Sequence, residues 1–561
     1  MSASDKKKLR KEQNAATMTE RQKKANKEAK QMKVMTTVFV SIMALILAFA
    51  IFIGLFVANG KPAIGWFNRA TTAVKINDTK INTVHLSYYY KDFIQNYVNQ
   101  YSDYGTYAST YLQMYTGLNT AVALDEQTYN ASTGDTWADY FTDSAIQNAQ
   151  WAYAMYNKAM SDGYKLTDVD EQSLQTQESN LELMASYYGY SNAKAYLRAS
   201  YGPGATVKSY MEYTRINTIA NNYASEYYNN LEYKEEDYRE YEKEKYNDYS
   251  SYSFSYYYLS VDSFLTFIGG GKTEKDENGK TTTTYTDEQK EAAREAAKEA
   301  AESLAVKKNS TLKKLNAAIK KLDINDGKKD VAATENTLVI STSIANEDFK
   351  KFVTDSTRKA GDNTVIEYKT GEGDDAVVSG YYVVLYQGMD ENKAPLANVQ
   401  HILVKFEGGT KDKETGETTY SDAEKKATKE KAEAILEEFK KGKKQDSEAF
   451  GKLAETKSED TGSKSTGGLI EDIYRDSNYV QSFKDWALDD RKVGDTGVIE
   501  SEYGYHVMFY KEDDELTYRD YMIDIDMTNE AFEEWENAIV ATVSVEEKNT
   551  KGLDRDMVIS G

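Results

Sequence analysis

The sequence contains no cysteine and only three prolines and three histidines among its 561 residues. Without cysteine the chain forms no disulfide, uses no thiolate as a nucleophile, and has no thiol for lipid attachment. The sequence also lacks a His-x-x-x-His spacing and a Gly-x-Ser-x-Gly turn, which argues against metal-dependent hydrolysis and acyl transfer. No metal or other cofactor is therefore expected.

The chain is strongly acidic, with a net charge of −22. This balance argues against nucleic acid as a partner, because the phosphate backbone is bound through Lys and Arg. A chain of 561 residues is too long for one hydrophobic core, so about three or four domains are expected.

Residues 35–58 form an uncharged apolar run that exceeds the roughly 20 residues needed to cross a bilayer. The run is longer than the apolar region of a cleaved signal peptide. Residues 1–34 carry eleven basic and four acidic side chains, so the positive-inside rule predicts a cytoplasmic tail and an extracytoplasmic remainder. The prediction is a single-pass protein of the cell membrane. A cleaved signal and a buried core helix are the alternatives.

The region that follows, residues 66–250, is predicted to be mostly helical. Residues 73–81 alternate in polarity and predict a short hairpin, which leads into a helix containing His85, the third histidine, which we interpret as structural. Apolar periodicity predicts further helices over residues 137–160, 168–188, 191–201 and 206–246. The chain has 46 tyrosines, many of them here. Each ring alone fits an amphipathic helix face, and together they would offer adaptable apolar surface to unfolded chains; both interpretations stay open.

From residue 251 onward the sequence repeats itself. The matched segments, in order, are 281–290 with 416–425, 349–352 with 483–486, 358–362 with 491–495 and 380–384 with 504–508. Both copies also carry a capping box, a polar pair that satisfies free amides where a helix begins: Thr286 with Gln289, and Ser421 with Glu424. Ordered matches of this kind indicate two copies of one α+β unit, over residues 251–393 and 394–515.

The two copies differ at the histidines. His401 and His506 lie in the apolar, strand-like runs that open and close the second copy. In the first copy Tyr382 replaces His506, and Tyr256 or Tyr257 replaces His401. The first copy is therefore predicted to be a unit that has lost its catalytic function or that serves only for binding.

The two histidines are the best functional lead in the chain. If they lie on neighbouring central strands and face the same side of a sheet, each ring fixes the tautomer of the other. Asp460 is expected to approach them from a turn. The structural alternative is a pair of satisfied core histidines and an aspartate that caps a turn. Leu469, Tyr479 and Phe483 are candidate walls of a small apolar pocket.

Taken together, the opening His401–Val404 run, the Ser458–Asp460 turn, Gly467–Leu469, Phe483 and the closing Tyr503–His506 run resemble the parvulin family of peptidyl-prolyl isomerases. The resemblance covers about residues 398–510, and the flanking plan is similar to PrsA/SurA-like extracytoplasmic foldases. It implies a four-stranded antiparallel sheet with surrounding helices. By this resemblance the polar network maps to His401, Asp460 and His506, and the substrate-binding positions map to Leu469, Tyr479, Phe483 and Ser501.

Two departures from the family pattern bear on this mapping. In place of the family's usual Gly-Gly-Asp-Leu-Gly loop, residues 467–471 of this chain are Gly-Gly-Leu-Ile-Glu. Tyr479 is expected to narrow the predicted apolar pocket. No basic cluster marks the acidic insertion at residues 407–417, so a preference for phosphorylated substrates is not expected.

The expected fold is therefore α+β. It comprises a transmembrane helix, a helical chaperone-like domain, two tandem parvulin-like units of which the first is degenerate, and a C-terminal helix near residues 529–543, followed by a polar tail, within residues 516–561. The implied activity is cis–trans isomerisation of X-Pro bonds in unfolded secreted polypeptides, with chaperone activity. A non-catalytic chaperone that only holds unfolded chains is the main alternative, and a surface scaffold is a weaker one. Dimerisation stays open.

Overall fold

The computed structural model describes residues 65–275, 281–305, 310–371, 376–412 and 416–559. The predicted cytoplasmic tail and membrane segment, residues 1–58, lie outside the described residues. Within those that are described, no helix is both long enough and apolar enough to cross a bilayer. The described chain divides into an N-terminal unit, residues 65–232 with 527–559, and a second unit, residues 233–526.

The N-terminal unit is mostly helical. Its elements up to residue 232 are α1 (Gly65–Ala70), β1 (Thr72–Ile76), β2 (Thr79–Asn82), α2 (Thr83–Asn99), α3 (Ala108–Thr116), β3 (Thr128–Asn130), β4 (Asp135–Thr136), α4 (Trp137–Ser161), α5 (Asp168–Tyr187), α6 (Ala193–Tyr201) and α7 (Val207–Asn230). Capping boxes at Thr136 and Thr167 begin α4 and α5 close to the predicted positions. Some tyrosines are fully buried, such as Tyr88 and Tyr90, whereas Tyr107 and others are exposed.

The single long helix predicted over residues 206–246 is wrong. Helix α7 ends at Asn230, and Leu231 adopts an extended backbone with φ −66° and ψ 127°. A separate helix, α8 (Glu235–Tyr241), begins after Lys234, whose backbone N–H donates to the Asp237 carboxylate at 2.8 Å. Acidic residues fill the first turn of α8, where the helix dipole favours negative charge, so they mark a new start rather than a helix interior.

The second unit contains two halves built in the same way, each with a four-stranded antiparallel sheet, a separate two-stranded hairpin and helices. The first comprises β5 (Ser251–Ser260), α9 (Val261–Ile268), β6 (Lys272–Lys275), β7 (Thr281–Thr284), α10 (Asp287–Leu304), α11 (Leu312–Ile319), β8 (Thr334–Ile340), α12 (Glu347–Val353), β9 (Asn363–Thr370) and β10 (Val377–Asp390). The second comprises β11 (Pro395–Lys405), β12 (Thr410–Lys411), β13 (Thr418–Thr419), α13 (Asp422–Lys441), α14 (Ser447–Lys457), β14 (Leu469–Ile473), α15 (Gln481–Ala487), β15 (Thr496–Ser501) and β16 (Gly504–Thr517). The strand orders, β8-β5-β10-β9 and β14-β11-β16-β15, correspond position by position.

Each sheet is covered by helices on both faces. Side chains alternate along a strand, so neighbouring residues of β16 enter different layers. Val507 packs with residues of α13 and α14, and Met508 packs with Phe483 and Trp486 of α15. The first sheet shows the same alternation, with Val383 against α10 and Val384 against α12. The face that carries α15 is the face on which the candidate site lies.

The last two elements differ from the predicted C-terminal helix and polar tail. Helix α16 (Tyr518–Val540) begins well before residue 529, and strand β17 (Val545–Glu547) pairs with β1. Leu553, Met557 and Ile559 are buried in the core of the N-terminal unit. Leu553 stands alone among polar neighbours and Met557–Ile559 is an apolar run of only three residues, so the sequence shows no sustained periodicity there to predict burial.

Candidate functional site

The two histidines of the second sheet lie on its central strands, β11 and β16. His401 pairs with Met508, and His506 pairs with Leu403. Because residues two apart on a strand share a face, both imidazoles project to the same side and meet diagonally. The rings stack at a centroid distance of 5.2 Å and an interplanar angle of 24°.

The histidines form the middle of a continuous hydrogen-bond network. The two Nδ1 atoms lie 3.0 Å apart. His401 Nε2 is 3.0 Å from both Asp460 Oδ2 and Ser463 Oγ. At the other end His506 Nε2 is 2.8 Å from Ser501 Oγ. The network thus links the loop after α14 to the turn between β15 and β16.

The direction of each hydrogen bond follows from Asp460. The His401 imidazole and the Ser463 hydroxyl beside this carboxyl hold its pKa well below the usual range, so it is ionised and only accepts. With both rings neutral, His401 Nε2–H donates to Asp460, and His506 Nδ1–H donates to His401 Nδ1. His506 Nε2 then accepts from the Ser501 hydroxyl.

The site is buried except at one end. His401 and His506 are each 5% exposed, whereas the Asp460 side chain is 29% exposed. Burial lowers the pKa of His506 to about 3, and the neighbouring His401 adds to this effect. His506 is therefore neutral throughout the physiological range.

The buried neutral state of His506 has a consequence in acid. Below pH 6.5 the unfolded chain binds a proton on His506 that the folded chain binds only near pH 3, so stability falls as the pH drops between these values. At pH 5 this group alone is expected to destabilise the fold by about 2 kcal/mol. Ring ¹⁵N shifts of His506 should stay constant from pH 7.5 to 4.5. A titration midpoint near 6.5 would contradict this prediction.

The loop that carries Asp460 is tied to β11 by backbone hydrogen bonds. Ser458, just after α14, accepts through Oγ from Leu403 N–H and Asp460 N–H, each at 3.2 Å. Glu459 N–H donates to Leu403 O at 2.9 Å. Beyond the loop, His401 N–H donates to Gly468 O at 2.8 Å. The carboxylate therefore keeps its position relative to the ring that it contacts.

Aromatic side chains of the α15 layer form an apolar wall beside the histidines. The Phe483 ring stands edge-on to both imidazoles, with centroid distances of 5.3 Å to His401 and 5.6 Å to His506. Phe483 is buried, and Tyr479 packs against it at 5.6 Å while remaining 39% exposed. This arrangement leaves an aromatic surface next to the exposed end of the polar network.

Leu469 does not belong to this wall. Leu469 pairs with Gln400, so its side chain shares the face of Gln400, opposite to that of His401. Ile470, which pairs with Val399, lies on the histidine face and packs with the α15 layer. The prediction failed by one residue because the strand register, which the sequence does not show, decides the face.

Two hydroxyls, one predicted and one not, lie at the two ends of the network. Ser501, predicted to bind substrate, contacts His506 and accepts from Tyr503 N–H at 3.2 Å. Ser463 was not predicted. It donates to Asp460 Oδ2 from three residues further along the same loop. The Asx turn itself is made by Gly462 N–H, which donates to Asp460 Oδ1 at 3.1 Å, so the sequence indicated the turn but not the role of Ser463.

The first sheet carries aromatic rings at the three strand positions of the network. Its register places Tyr256 where His401 lies, Tyr382 where His506 lies and Tyr368 where Ser501 lies. Phe349 keeps the place of Phe483 and packs edge-on against Tyr382 at 5.0 Å. At these three matched positions the first sheet therefore has phenol rings in place of two imidazoles and a hydroxyl. Within the described residues no group of three or more His, Asp or Glu side chains is placed to hold a metal ion.

Comparisons with known proteins agree with this geometry. Residues 381–513 match the family described as PPIC-type PPIASE domain. The "Foldase protein PrsA" of Clostridium botulinum strain Langeland is 31% identical over 199 residues, which cover 35% of this chain and 48% of the relative. The protein of the same name from strain 657 is 30% identical over 203 residues, with the same coverage. The chain thus spans about half the length of the curated relatives it matches.

Among solved structures, a peptidylprolyl isomerase (PrsA) from Bacillus anthracis shares 18% identity. That similarity covers 27% of this chain and 59% of the other, with a TM-score of 0.17. The family match covers β11 to β15 and β16 as far as residue 513, and this range contains every member of the polar network. The second sheet of this chain is therefore part of a domain of the peptidyl-prolyl isomerase type.

Proposed function

We propose that this protein is an extracytoplasmic foldase that isomerises X-Pro bonds in secreted polypeptides and holds unfolded chains. The observation that carries the proposal is the buried imidazole pair, which links a partly exposed carboxylate to an aromatic wall. The match of residues 381–513 to the PPIC-type PPIASE domain supports the reaction class. The similarity to PrsA foldases supports clients that are unfolded proteins.

The reaction needs no covalent step. Rotation about an X-Pro bond has a barrier of about 18–20 kcal/mol, and uncatalysed isomerisation takes tens to hundreds of seconds. An apolar slot that holds the proline ring and excludes water favours the twisted amide over the planar one, since the planar amide is the more polar state. The enzyme thus binds the transition state more tightly than the substrate.

Burial separates the roles of the polar residues. His401 and His506 are almost fully covered, so they act as positioning residues that hold Asp460 through hydrogen bonds. Asp460 and Tyr479 are the exposed groups of the site, and in our proposal they contact the substrate. Phe483 forms the floor of the proline slot.

The proposal predicts that His506→Ala reduces kcat by about 10-fold or more, because loss of the ring leaves a buried Nδ1 of His401 without its partner. KM should change little, since the aromatic wall remains. The measurement is isomerisation of a proline-containing tetrapeptide by the full chain. His85→Ala is the matched control, because it removes the histidine of the other unit and should leave the rate unchanged.

The same assay separates the two leading functions. A wild-type rate equal to the uncatalysed rate would support a non-catalytic chaperone. A normal rate in a folded His506→Ala variant would remove the network from the mechanism. Thermal melting of both variants shows whether a lost rate reflects unfolding.

We further propose that residues 35–58 anchor the protein as a single transmembrane helix, with residues 1–34 in the cytoplasm. The charge asymmetry of the sequence supports this orientation. Because the chain has no cysteine, single cysteines introduced before and after the segment report the side of the membrane by labelling of intact cells.

A further inference from the structure

A groove of about 800 Å³ lies between α12 and β9 in the first sheet. Six consecutive residues of the strand, Thr364–Lys369, form one wall. Side chains of a strand alternate between faces, so six consecutive residues line one groove only where it follows the backbone edge. The opposite wall comes from α12 and its flanking residues, including Phe352.

Strand β9 is the outer strand of its sheet. Along its outer edge, backbone N–H and C=O groups have no neighbouring strand among the described residues. Such an edge is a template on which another extended chain adds by backbone hydrogen bonds. Proteins usually cover or blunt these edges, and here the edge faces a groove.

The matched place in the second sheet is closed. Ser482 Oγ on α15 donates to the Glu500 carbonyl of β15 at 2.7 Å. Trp486 lies directly against Gly497, where an added Cβ would stand 2.5 Å from the indole nitrogen. The Ser482 hydroxyl and the Trp486 ring thus hold α15 against β15, the outer strand of the second sheet.

The first sheet lacks both closing contacts. Tyr381 pairs with Glu367 as Tyr505 pairs with Glu500, so the Glu367 carbonyl is directed at the groove. Asp348 takes the place of Ser482, and a carboxylate accepts hydrogen bonds but donates none.

The second contact is missing for a related reason. Phe352 takes the place of Trp486, and Thr364 takes the place of Gly497. The ring is smaller and the strand residue is larger, so α12 cannot approach β9 as α15 approaches β15. The groove therefore results from specific residue differences between the two copies.

We propose that this groove binds an extended, proline-free segment of an unfolded polypeptide as a fifth strand of the first sheet. Backbone hydrogen bonds along β9 would hold the segment, and α12 would cover its side chains. The inference rests on the proposed foldase function for the class of partner, and it concerns a site separate from the histidine network.

Charge adds a preference for a basic segment. The groove is lined by four acidic and three basic residues: Glu347, Asp348, Asp355, Glu367, Lys351, Arg358 and Lys369. Arg358 pairs with Asp355 at 2.9 Å, and Lys369 lies 3.8 Å from Glu367. Outside these two pairs the lining residues are Glu347, Asp348 and Lys351, which carry one net negative charge. This charge favours a peptide that carries a lysine or arginine.

The test uses the full chain and a fluorescein-labelled decapeptide of alternating valine and threonine with one lysine. Fluorescence anisotropy measures binding. The variant Asp348→Ser/Phe352→Trp/Thr364→Gly reproduces the closed arrangement and should weaken binding at least 10-fold. Asp490→Ser, an exposed residue of the second sheet's half, is the charge-matched control and should bind normally. A peptide N-methylated at every second amide should also lose binding to the unmodified protein.

Three outcomes would overturn the inference. In the first, the closed variant binds the decapeptide as well as the wild-type protein does. In the second, the N-methylated peptide binds as well as the unmodified peptide. In the third, a proline-containing substrate displaces the decapeptide, which would place the decapeptide in the histidine site. The N-methylated peptide keeps the test valid even where the triple variant is destabilised. Isomerase activity measured on the same samples separates this inference from the proposed function. Activity without decapeptide binding rejects the groove alone, and binding without activity rejects the isomerase alone.

Discussion

Gly468→Ala is expected to abolish most of the proposed isomerase activity and to destabilise the second unit by about 3 kcal/mol or more. Gly468 has φ +73°, and a Cβ added there would stand 2.1 Å from the backbone oxygen of His401. The left-handed backbone alone costs an alanine about 1–2 kcal/mol. The contact between the added Cβ and the His401 backbone oxygen costs more free energy than the left-handed backbone, because neither atom can move away by rotation of a flexible side chain.

The strain at Gly468 is relieved if its loop moves away from β11, and this movement explains the expected loss of activity. His401 N–H donates to Gly468 O, so separating the loop from β11 breaks this bond and displaces the residue that contacts Asp460. A displacement of about 1 Å at a reacting centre can lower a rate about 100-fold. We therefore expect a larger loss of kcat than in His506→Ala, accompanied by a lower free energy of unfolding in urea.

Gly388→Ala is the control for this experiment. Gly388 has no left-handed backbone, and an added Cβ would meet no atom within 4 Å. Its stability should lie within about 0.5 kcal/mol of the wild type. Normal stability and activity in Gly468→Ala would show that the loop accommodates a side chain and that its position does not control the site.

Local sequence signals predicted much of the fold and of the site. The capping boxes at Thr286 and Ser421 begin α10 and α13 as predicted. The apolar, strand-like runs around His401 and His506 predicted strands there, and the hypothesis that both rings share one face agrees with the strand register. These features depend on residues that are close in sequence or on a simple period of two.

The errors have a different physical origin. Leu469 was assigned to the wrong face because a register shift of one residue reverses every side chain of a strand. Tyr256 could not be distinguished from Tyr257 for the same reason. The groove beside β9 was not predicted, since it depends on how closely a short helix approaches a strand. Contacts between residues far apart in sequence leave no periodic pattern.

The buried ion pair of the second unit is such a contact. Arg519 on α16 is fully buried, and its Nε donates to the carboxylate of Glu242. Its other nitrogens donate to Tyr246 O at 2.8 Å and Ser250 Oγ at 3.1 Å, and the guanidinium lies 4.1 Å from the Tyr246 ring centroid. Arg239 supplies a second cation to Glu242 at 2.7 Å. Arg239 and Glu242 are three residues apart, a spacing at which charges meet on a helix, but no charge pattern in the sequence indicated that Arg519 meets Glu242.

Glu242→Leu is expected to lower the free energy of unfolding of the second unit by about 3–5 kcal/mol, because it leaves the buried Arg519 guanidinium without a carboxylate. Adding Arg519→Met should recover much of this loss, since apolar residues of similar volume often replace a buried pair at little cost. Urea unfolding of the two single variants and the double variant measures the coupling. Lys425→Ala, which removes an exposed pair with Glu500 at 2.8 Å, should change stability by less than about 1 kcal/mol. If the losses in free energy of unfolding of the two single variants simply add in the double variant, the coupling energy between Arg519 and Glu242 is zero. The stability of the unit would then come from its apolar layers alone.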